Sequence, residues 1–488
     1  DMKLLKDILY KVRIEQVVGS TNTAIEAITF DSRKVVAFTA FVATRGTQVD
    51  GHTFIAKAIE SGASAIICEE LPAELKDGVT YVRVENAAVA LGIIAANFHD
   101  HPSKKLKLVG ITGTNGKTST ATLLFRLFRS LGYKCGLIST VEMRIGQRTI
   151  PSTHTTPDAV SLNEILAEMV VEKVTHCFME VSSHSVVQER IAGLQFVGAV
   201  FMNITHDHLD YHGTFAEYIK AKKRFFDQLP ATAFALVNAD DPNSAVMLQN
   251  TKASKHSFAV KNMADHKARI VENQLTGLHL NIDGHDMYSR LIGEFNASNL
   301  LAVYTVAALM NEPAMNVLTA LSDLQPPRGR FQIVRSNSGI VGIVDYAHTP
   351  DALKNVLATI NEVCSENEQV ITVVGCGGDR DRTKRPVMAR IATELSSHVV
   401  LTSDNPRSED PMAILNEMRT GVQITDQSRV WVNADRREAI RQAVGMAKPG
   451  DVVLLAGKGH ETYQEINGVK HPFDDVAVLQ ETLELLHK

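Results

Sequence analysis

Short runs of aliphatic and β-branched residues alternate with stretches of helical periodicity along almost the whole chain. The clearest are Ala65-Ile66-Ile67-Cys68, Lys107-Leu108-Val109-Gly110-Ile111-Thr112, Val370-Ile371-Thr372-Val373-Val374-Gly375, Val399-Val400-Leu401-Thr402 and Asp451-Val452-Val453-Leu454-Leu455. Several are apolar at consecutive positions, so both faces need covering. This predicts buried, mostly parallel strands in α/β domains. No internal repeat or low-complexity tract interrupts the alternation.

Two polar, proline-bearing breaks stand out, His101-Pro102-Ser103-Lys104-Lys105 and Gln325-Pro326-Pro327-Arg328-Gly329-Arg330. The second precedes a fresh apolar run, Gly339-Ile340-Val341-Gly342-Ile343-Val344. A chain of 488 residues exceeds one ordinary core. The expected division is therefore three α/β domains, at 1–103, 104–327 and 328–488.

Composition narrows the class. Apolar residues at 44%, charged residues at 22% and a net charge of -5 describe an ordinary globular protein, with no basic excess for nucleic acid or an anionic membrane. The five cysteines, Cys68, Cys135, Cys177, Cys364 and Cys376, show no CxxC spacing, which argues against a disulfide framework or zinc knuckle and fits a reducing cytoplasm. Neither an apolar leader core near Asp1 nor a spanning run of roughly 18 to 20 apolar residues is present, so no membrane insertion is expected.

The strongest chemical signal follows the run Lys107–Thr112. Gly113-Thr114-Asn115-Gly116-Lys117-Thr118 leads into the helical stretch Ser119 to Leu131. A strand, a glycine loop and a helix in that order aim main-chain N–H groups and a positive helix end at phosphates. Lys117 would reach the outer phosphates and Thr118 a magnesium ion. The loop is one residue shorter than the usual phosphate-loop spacing, because Ile111 stands where the first glycine belongs.

Two more segments carry candidate ligands. Glu180 closes the apolar run Cys177-Phe178-Met179, and His206-Asp207-His208-Leu209-Asp210-Tyr211-His212 lies beyond another, Gly198 to Met202. Histidines and carboxylates so closely spaced are compatible with zinc and hence with a metal-dependent hydrolase. The upstream phosphate loop favours magnesium, a hard cation suited to carboxylate, hydroxyl and phosphate oxygens.

The shortened GTNGKT loop resembles that of the Mur ligases and the related folylpolyglutamate synthetases, and the resemblance extends from Asp31 to Glu461. It implies an ATP-dependent ligase that forms an amide through an acyl phosphate, releasing ADP and phosphate. A first domain would bind the UDP-linked precursor, a central one ATP and two magnesium ions, and a Rossmann-like third domain the incoming amino acid. By the same resemblance, ATP would meet Gly113, Thr114, Asn115, Gly116, Lys117, Thr118, Asn296, Asn299, Arg330 and Asp345, while His348 would help spread the transferred charge. Thr118, Glu180, His208 and Lys222, the last as a carbamate derived from carbon dioxide, would support the metal. Read without the resemblance, Lys222 belongs to a solvated basic helix face.

The substrates follow from the same resemblance. Ser32, Thr47, Gln48 and Val49 correspond to a uridine-diphosphate pocket, and Thr155, Thr156, Ser182, Gln188 and Arg190 to contacts with the muramoyl peptide. Arg380, Asp404, Asn405, Pro406, Arg407, Gly457 and Glu461 correspond to the amino-acid site. Asp404-Asn405-Pro406-Arg407 is similar to the signature of members that add meso-diaminopimelate to UDP-N-acetylmuramoyl-L-alanyl-D-glutamate in peptidoglycan synthesis. Arg407 would match the second carboxylate, which lysine lacks. Addition of L-lysine, a folylpolyglutamate synthetase-like ligase and a nucleotide-binding switch without ligation are the alternatives. The expected protein is a cytoplasmic monomer acting on small molecules.

Overall fold

The computed structural model describes residues 1–46, 48–150, 157–205 and 214–488. Backbone contacts divide the chain into two compact units, 1–266 with 302–313, and 267–301 with 314–488.

The first unit holds two large sheets and a short pair of strands, Lys3–Leu4 with Ala24–Ile25. The N-terminal sheet runs Ile14–Val18, Thr80–Val84, Ala63–Cys68, Thr39–Val42, Ala27–Thr29, parallel except for its first strand. The helix Ala87–Phe98 buries Leu91, Ile94 and Ala95 with Val42, Ile67 and Val82, and Asn86 caps it through the N–H of Val89 at 3.1 Å.

The larger sheet of this unit places Lys107–Thr112 between His176–Glu180 and Gly198–Phe201, all parallel. Both faces of these strands are covered, as their unbroken apolar runs require. The register pairs Glu180 with Ile111 and Phe201 with Thr112, so three neighbouring strands end at one level. Ligands of open α/β sheets bind outside such carboxyl ends.

In the second unit the strand order is Gln332–Arg335, Val341–Asp345, Val452–Ala456, Val370–Cys376, His398–Ser403, Val430–Val432, parallel after the first pair. Two fully buried charges brace its carboxyl edge. Arg436 donates twice to Asp475, at 2.9 and 2.6 Å, and its remaining N–H groups reach the carbonyls of Ser403 and Ala456. Such a pair is tolerated in the interior because its hydrogen bonds are satisfied.

The unit departs from the parallel expectation in two ribbons. Gly277–Ile282 pairs antiparallel with His285–Ser289 across Asp283 (φ 47°) and Gly284 (φ 91°), and Tyr463–Ile466 pairs with Val469–Pro472 across Asn467 (φ 50°) and Gly468 (φ 77°). Asp-Gly and Asn-Gly suit the two left-handed positions of a tight hairpin turn, so both ribbons carry a local sequence signal.

Candidate active site

The strand Lys107–Thr112 hands the chain to the glycine loop, and the helix Lys117–Ser130 leaves it. Gly116, at φ 87°, makes the turn into the helix, a left-handed conformation that suits glycine. The loop is fastened from a distance by Asn203. Its side-chain oxygen accepts from the main-chain N–H of Thr114 at 3.1 Å and of Asn115 at 2.8 Å, while its amide donates to the Asn115 carbonyl at 2.9 Å. The Thr205 N–H also donates to the Thr114 hydroxyl at 3.0 Å. Nothing in the local sequence marks Asn203 for this task, since its partners lie 88 and 89 positions away.

Thr118, in the first turn of the helix, donates its hydroxyl to Glu180 Oε1 at 2.8 Å. The other carboxylate oxygen accepts from the N–H of Thr140 at 2.7 Å. Glu180 is thus almost fully enclosed at its strand end, against Thr118 and Thr140 hydroxyls that lie 3.2 Å apart. This set of oxygens suits magnesium rather than zinc, which prefers nitrogen and sulfur. Thr140 escaped sequence reading because nothing marks one threonine among the others.

Lys222 stands apart from its neighbours on the helix Phe215–Asp227. Lys223 pairs with Asp227 and Arg224 with Glu189 on the half-buried side, while Lys222 shares the buried stripe of Tyr218, Phe225 and Phe226. Its ammonium donates to the Thr112 hydroxyl at 3.1 Å, beneath the end of the central strand, and lies 5.0 Å from the centre of the Tyr218 ring. Burial first, and the nearby charge of Lys117 second, push its pKa well below the ordinary lysine value. The neutral amine is thereby favoured more than at an ordinary lysine. The solvated basic face expected from the helix alone holds for Lys220 but not for Lys222.

Other expected positions of the first unit are placed individually. Ser182 caps the helix Ser183–Val187 by accepting from the Ser185 N–H at 3.1 Å, and Gln188 and Arg190 follow directly. Ser32 is buried in a short helical turn capped by Asp31. Gln48 and Val49 are exposed on a loop closed by the Gly46 N–H on the Val49 carbonyl. His52 anchors that loop from behind, linking Asp50 at 2.7 Å to the main-chain N–H of Glu69 at 2.9 Å. Thr47, Thr155, Thr156 and His208 lie outside the described residues, as do His206 and His212. Among the described residues no cluster of three or more His, Cys, Asp or Glu side chains is arranged to hold a metal.

The second unit carries the remaining nucleotide candidates. Asp345 closes the strand Val341–Asp345 and accepts from the N–H groups of Phe331 and Ala347 at 2.7 and 2.8 Å. Burial raises its pKa against the opposing charge of Arg330, whose guanidinium lies 5.2 Å from the centre of the Tyr346 ring. His348 donates from Nδ1 to the Tyr346 carbonyl at 2.9 Å, and burial lowers its pKa, so the neutral ring keeps an acceptor at Nε2. Asn296 and Asn299 are buried and turned inward: Asn296 donates to the Ile292 carbonyl and Asn299 to Asn296.

The amino-acid candidates gather at the carboxyl ends of three adjacent strands, those ending at Cys376, Ser403 and Ala456. Gly378 donates its N–H to the Asn405 carbonyl at 2.8 Å, and a Cβ on Gly378 would stand only 1.8 Å from the Pro406 oxygen. Arg407 takes a left-handed φ of 54°, and its guanidinium donates to the Gly378 carbonyl at 2.9 Å. Asp379 accepts from the Ser408 N–H and hydroxyl, and Arg385, fully buried, spans the Gly377 carbonyl, Glu409 and Glu417. Asn405 meets Glu461 at 3.2 Å, and Gly457 turns at φ 114°. Arg380 is exposed beside them.

A glycine loop backed by a carboxylate and a buried amine, and a strand-end cluster of charged side chains, fit an ATP-dependent ligase that forms amide bonds, the class that comparison with known proteins shows. Descriptions of the Mur ligase family match the chain three times: its catalytic domain at 24–99, its middle domain at 111–307 and its glutamate ligase domain at 329–459. The chain belongs to the Mur ligase family. It is 57% identical, over 99% of its length and 100% of the relative's, to the UDP-N-acetylmuramoyl-L-alanyl-D-glutamate--2,6-diaminopimelate ligase of Cytophaga hutchinsonii. It is 50% identical to the enzyme of the same name from Bacteroides fragilis, over 99% of both chains. A solved structure of a ligase with that name superposes with a TM-score of 0.75 at 32% identity, covering 100% of each chain.

Proposed function

We propose that this chain uses ATP to join the D-glutamyl γ-carboxylate of UDP-N-acetylmuramoyl-L-alanyl-D-glutamate to an amine of meso-diaminopimelate, a step of peptidoglycan synthesis. The observation that carries this reading is the 57% identity, over the full length of both chains, to a ligase bearing that name.

The carboxylate attacks the γ-phosphorus in line, ADP leaves, and the acyl phosphate forms. The unprotonated amine then adds to the acyl carbon, and the tetrahedral adduct expels inorganic phosphate. Lys117 and the helix N-terminus hold the phosphates, and Asn203 fixes the loop whose N–H groups face them. Thr118 and Glu180, with His208, are the residues that would hold magnesium, which when bound neutralises charge on the phosphate oxygens. The depressed pKa of Lys222 supports its carbamoylation, because only a neutral amine adds to carbon dioxide. Asn296, Asn299, Arg330, Asp345 and His348 are assigned to the nucleotide, and Ser32, Gln48, Val49, Ser182, Gln188 and Arg190 to the UDP precursor. Arg380, the Asp404 to Arg407 turn, Gly457 and Glu461 are assigned to diaminopimelate. Its substrates are small molecules, and we assign it to the cytoplasm as a monomer.

The test is release of ADP with the UDP-linked dipeptide, with and without meso-diaminopimelate. Release that needs both is expected. Release indifferent to the amino acid would defeat the ligase reading, and equal turnover with lysine would defeat the role of Arg407.

A further inference from the structure

Lys458 lies just beyond the strand Val452–Ala456 and is fully buried. Its ammonium donates to the side-chain oxygen of Asn405 at 2.9 Å and to the Tyr463 carbonyl at 2.8 Å. It also lies 3.4 Å from Asp404 Oδ1 and 3.8 Å from Glu461 Oε1. Burial lowers the pKa of this amine, but the facing charges of Asp404 and Glu461 oppose the fall, unlike at Lys222, so an ammonium is supported beside three of the side chains assigned to the amino-acid substrate. Asp404 Oδ1 is itself buried with no hydrogen-bond donor, so the charge of Lys458 is its compensation.

The charges balance in a particular way. Asp404 and Glu461 bring two negative charges and Lys458 one positive, leaving a surplus carboxylate. An α-amino-acid terminus brings one ammonium and one carboxylate, and Arg407 is the neighbouring cation for the latter. We propose that Lys458 is a positioning residue for the incoming amino acid: it relieves the repulsion between Asp404 and Glu461 and, with Asn405, aims them at the ammonium of a zwitterionic terminus. This inference rests on the ligase reading of the same site.

Glu461 is the group on which the inference turns. Burial raises its pKa, Asp404 raises it further, and Lys458, Asn405 and Arg407 oppose the rise. Tyr346, Tyr463 and Arg436 also face it. Loss of Lys458 removes the nearest cation that opposes the rise in the pKa of Glu461, so this carboxyl holds its proton to higher pH than in the wild type.

The experiment compares the full-length wild type with Lys458→Met and with Lys458→Met combined with Asp404→Asn. The KM of each substrate is followed between about pH 6.5 and 9. In the single variant the KM for diaminopimelate rises at least about tenfold at neutral pH and falls again as the pH increases, while the KM values for ATP and the UDP-linked dipeptide stay within about twofold. The double variant has a higher KM than wild type but loses the steep pH dependence, because Glu461 no longer has a carboxylate beside it. A single variant whose KM follows the wild-type pH profile, whatever its size, overturns the inference and reduces Lys458 to a strut for the hairpin. Should the single variant not fold, the charge-cancelled double variant must fold and show the flat profile; its failure overturns the inference equally. A wild type whose ADP release ignores diaminopimelate removes the ligase reading and this inference together, an outcome visible before any variant is made.

Discussion

The hydroxyl of Thr118 donates to Glu180 across 2.8 Å, joining the first turn of the phosphate-loop helix to the end of the adjacent strand. The contact unites two motifs that sit 62 positions apart in the chain, and it depends on the register that sets Glu180 against Ile111. A cation held there by both oxygens would sit beside the glycine loop. Glu180→Gln keeps the shape and removes the charge. Turnover is expected to fall by about 10²- to 10³-fold while the melting temperature changes little, as measured by ADP release and calorimetry. Near-normal turnover would exclude Glu180 from the metal site.

Asn203→Ala removes three hydrogen bonds that brace the loop at Thr114 and Asn115. At about 1 kcal/mol apiece these correspond to an increase in the KM for ATP on the order of a hundredfold, with a smaller effect on the other substrates. An unchanged KM for ATP would show that the loop holds its shape without Asn203.

Gly378→Ala tests the close approach of the two strand-end turns, because the new methyl would collide with the Pro406 carbonyl. Displacement of Arg407 should raise the KM for diaminopimelate by more than about tenfold while leaving that for ATP near its starting value. Equal effects on both substrates would point instead to general unfolding.

Arg407→Ala should erase discrimination between diaminopimelate and lysine, which for a site built around a charged group amounts to roughly 10⁴. Competition kinetics with both amino acids measures the ratio directly. Retained discrimination would move specificity to another residue.

Acid sensitivity has a definite source in His176, which is buried against Phe128 and Tyr133 and whose pKa burial lowers to about 4. The unfolded chain takes up a proton near the ordinary histidine value of 6.5, before the folded one does. Stability at this site is therefore complete above that value and declines as the pH falls toward 4, by about 3 kcal/mol over the whole window. His176→Phe removes the proton-binding group and keeps an aromatic ring. Its melting temperature between pH 7.5 and 5 should fall less steeply than that of the wild type, and parallel curves would assign the acid sensitivity elsewhere.

Much of this was legible in the chain. The five apolar runs became parallel strands because covered strands need apolar residues on both faces, and the glycine loop opened a helix as its spacing required. Glu180 could be read from its place after an apolar run. Asn203, Thr140, His52 and Lys458 could not, because each acts through partners brought together only by the folded sheets. The ribbons at Asp283-Gly284 and Asn467-Gly468 were announced by their turn residues, and the dominant α/β rhythm masked them. Residues 267–301 likewise group with 314–488, a matter of tertiary contact that no local pattern encodes.

Arg407 illustrates what such a fold implies for change over generations. Its N–H bonds to the Glu465 carbonyl, its own carbonyl accepts from the Asn467 N–H, and its guanidinium rests on a glycine that tolerates no methyl group. A descendant recruiting a differently charged building block would have to redraw the Asp404 to Arg407 turn, the paired glycines and the Asn467-Gly468 hairpin in concert. Under the proposed assignment of this turn to the amino-acid substrate, the choice of substrate is inherited as a block, resistant to drift one codon at a time.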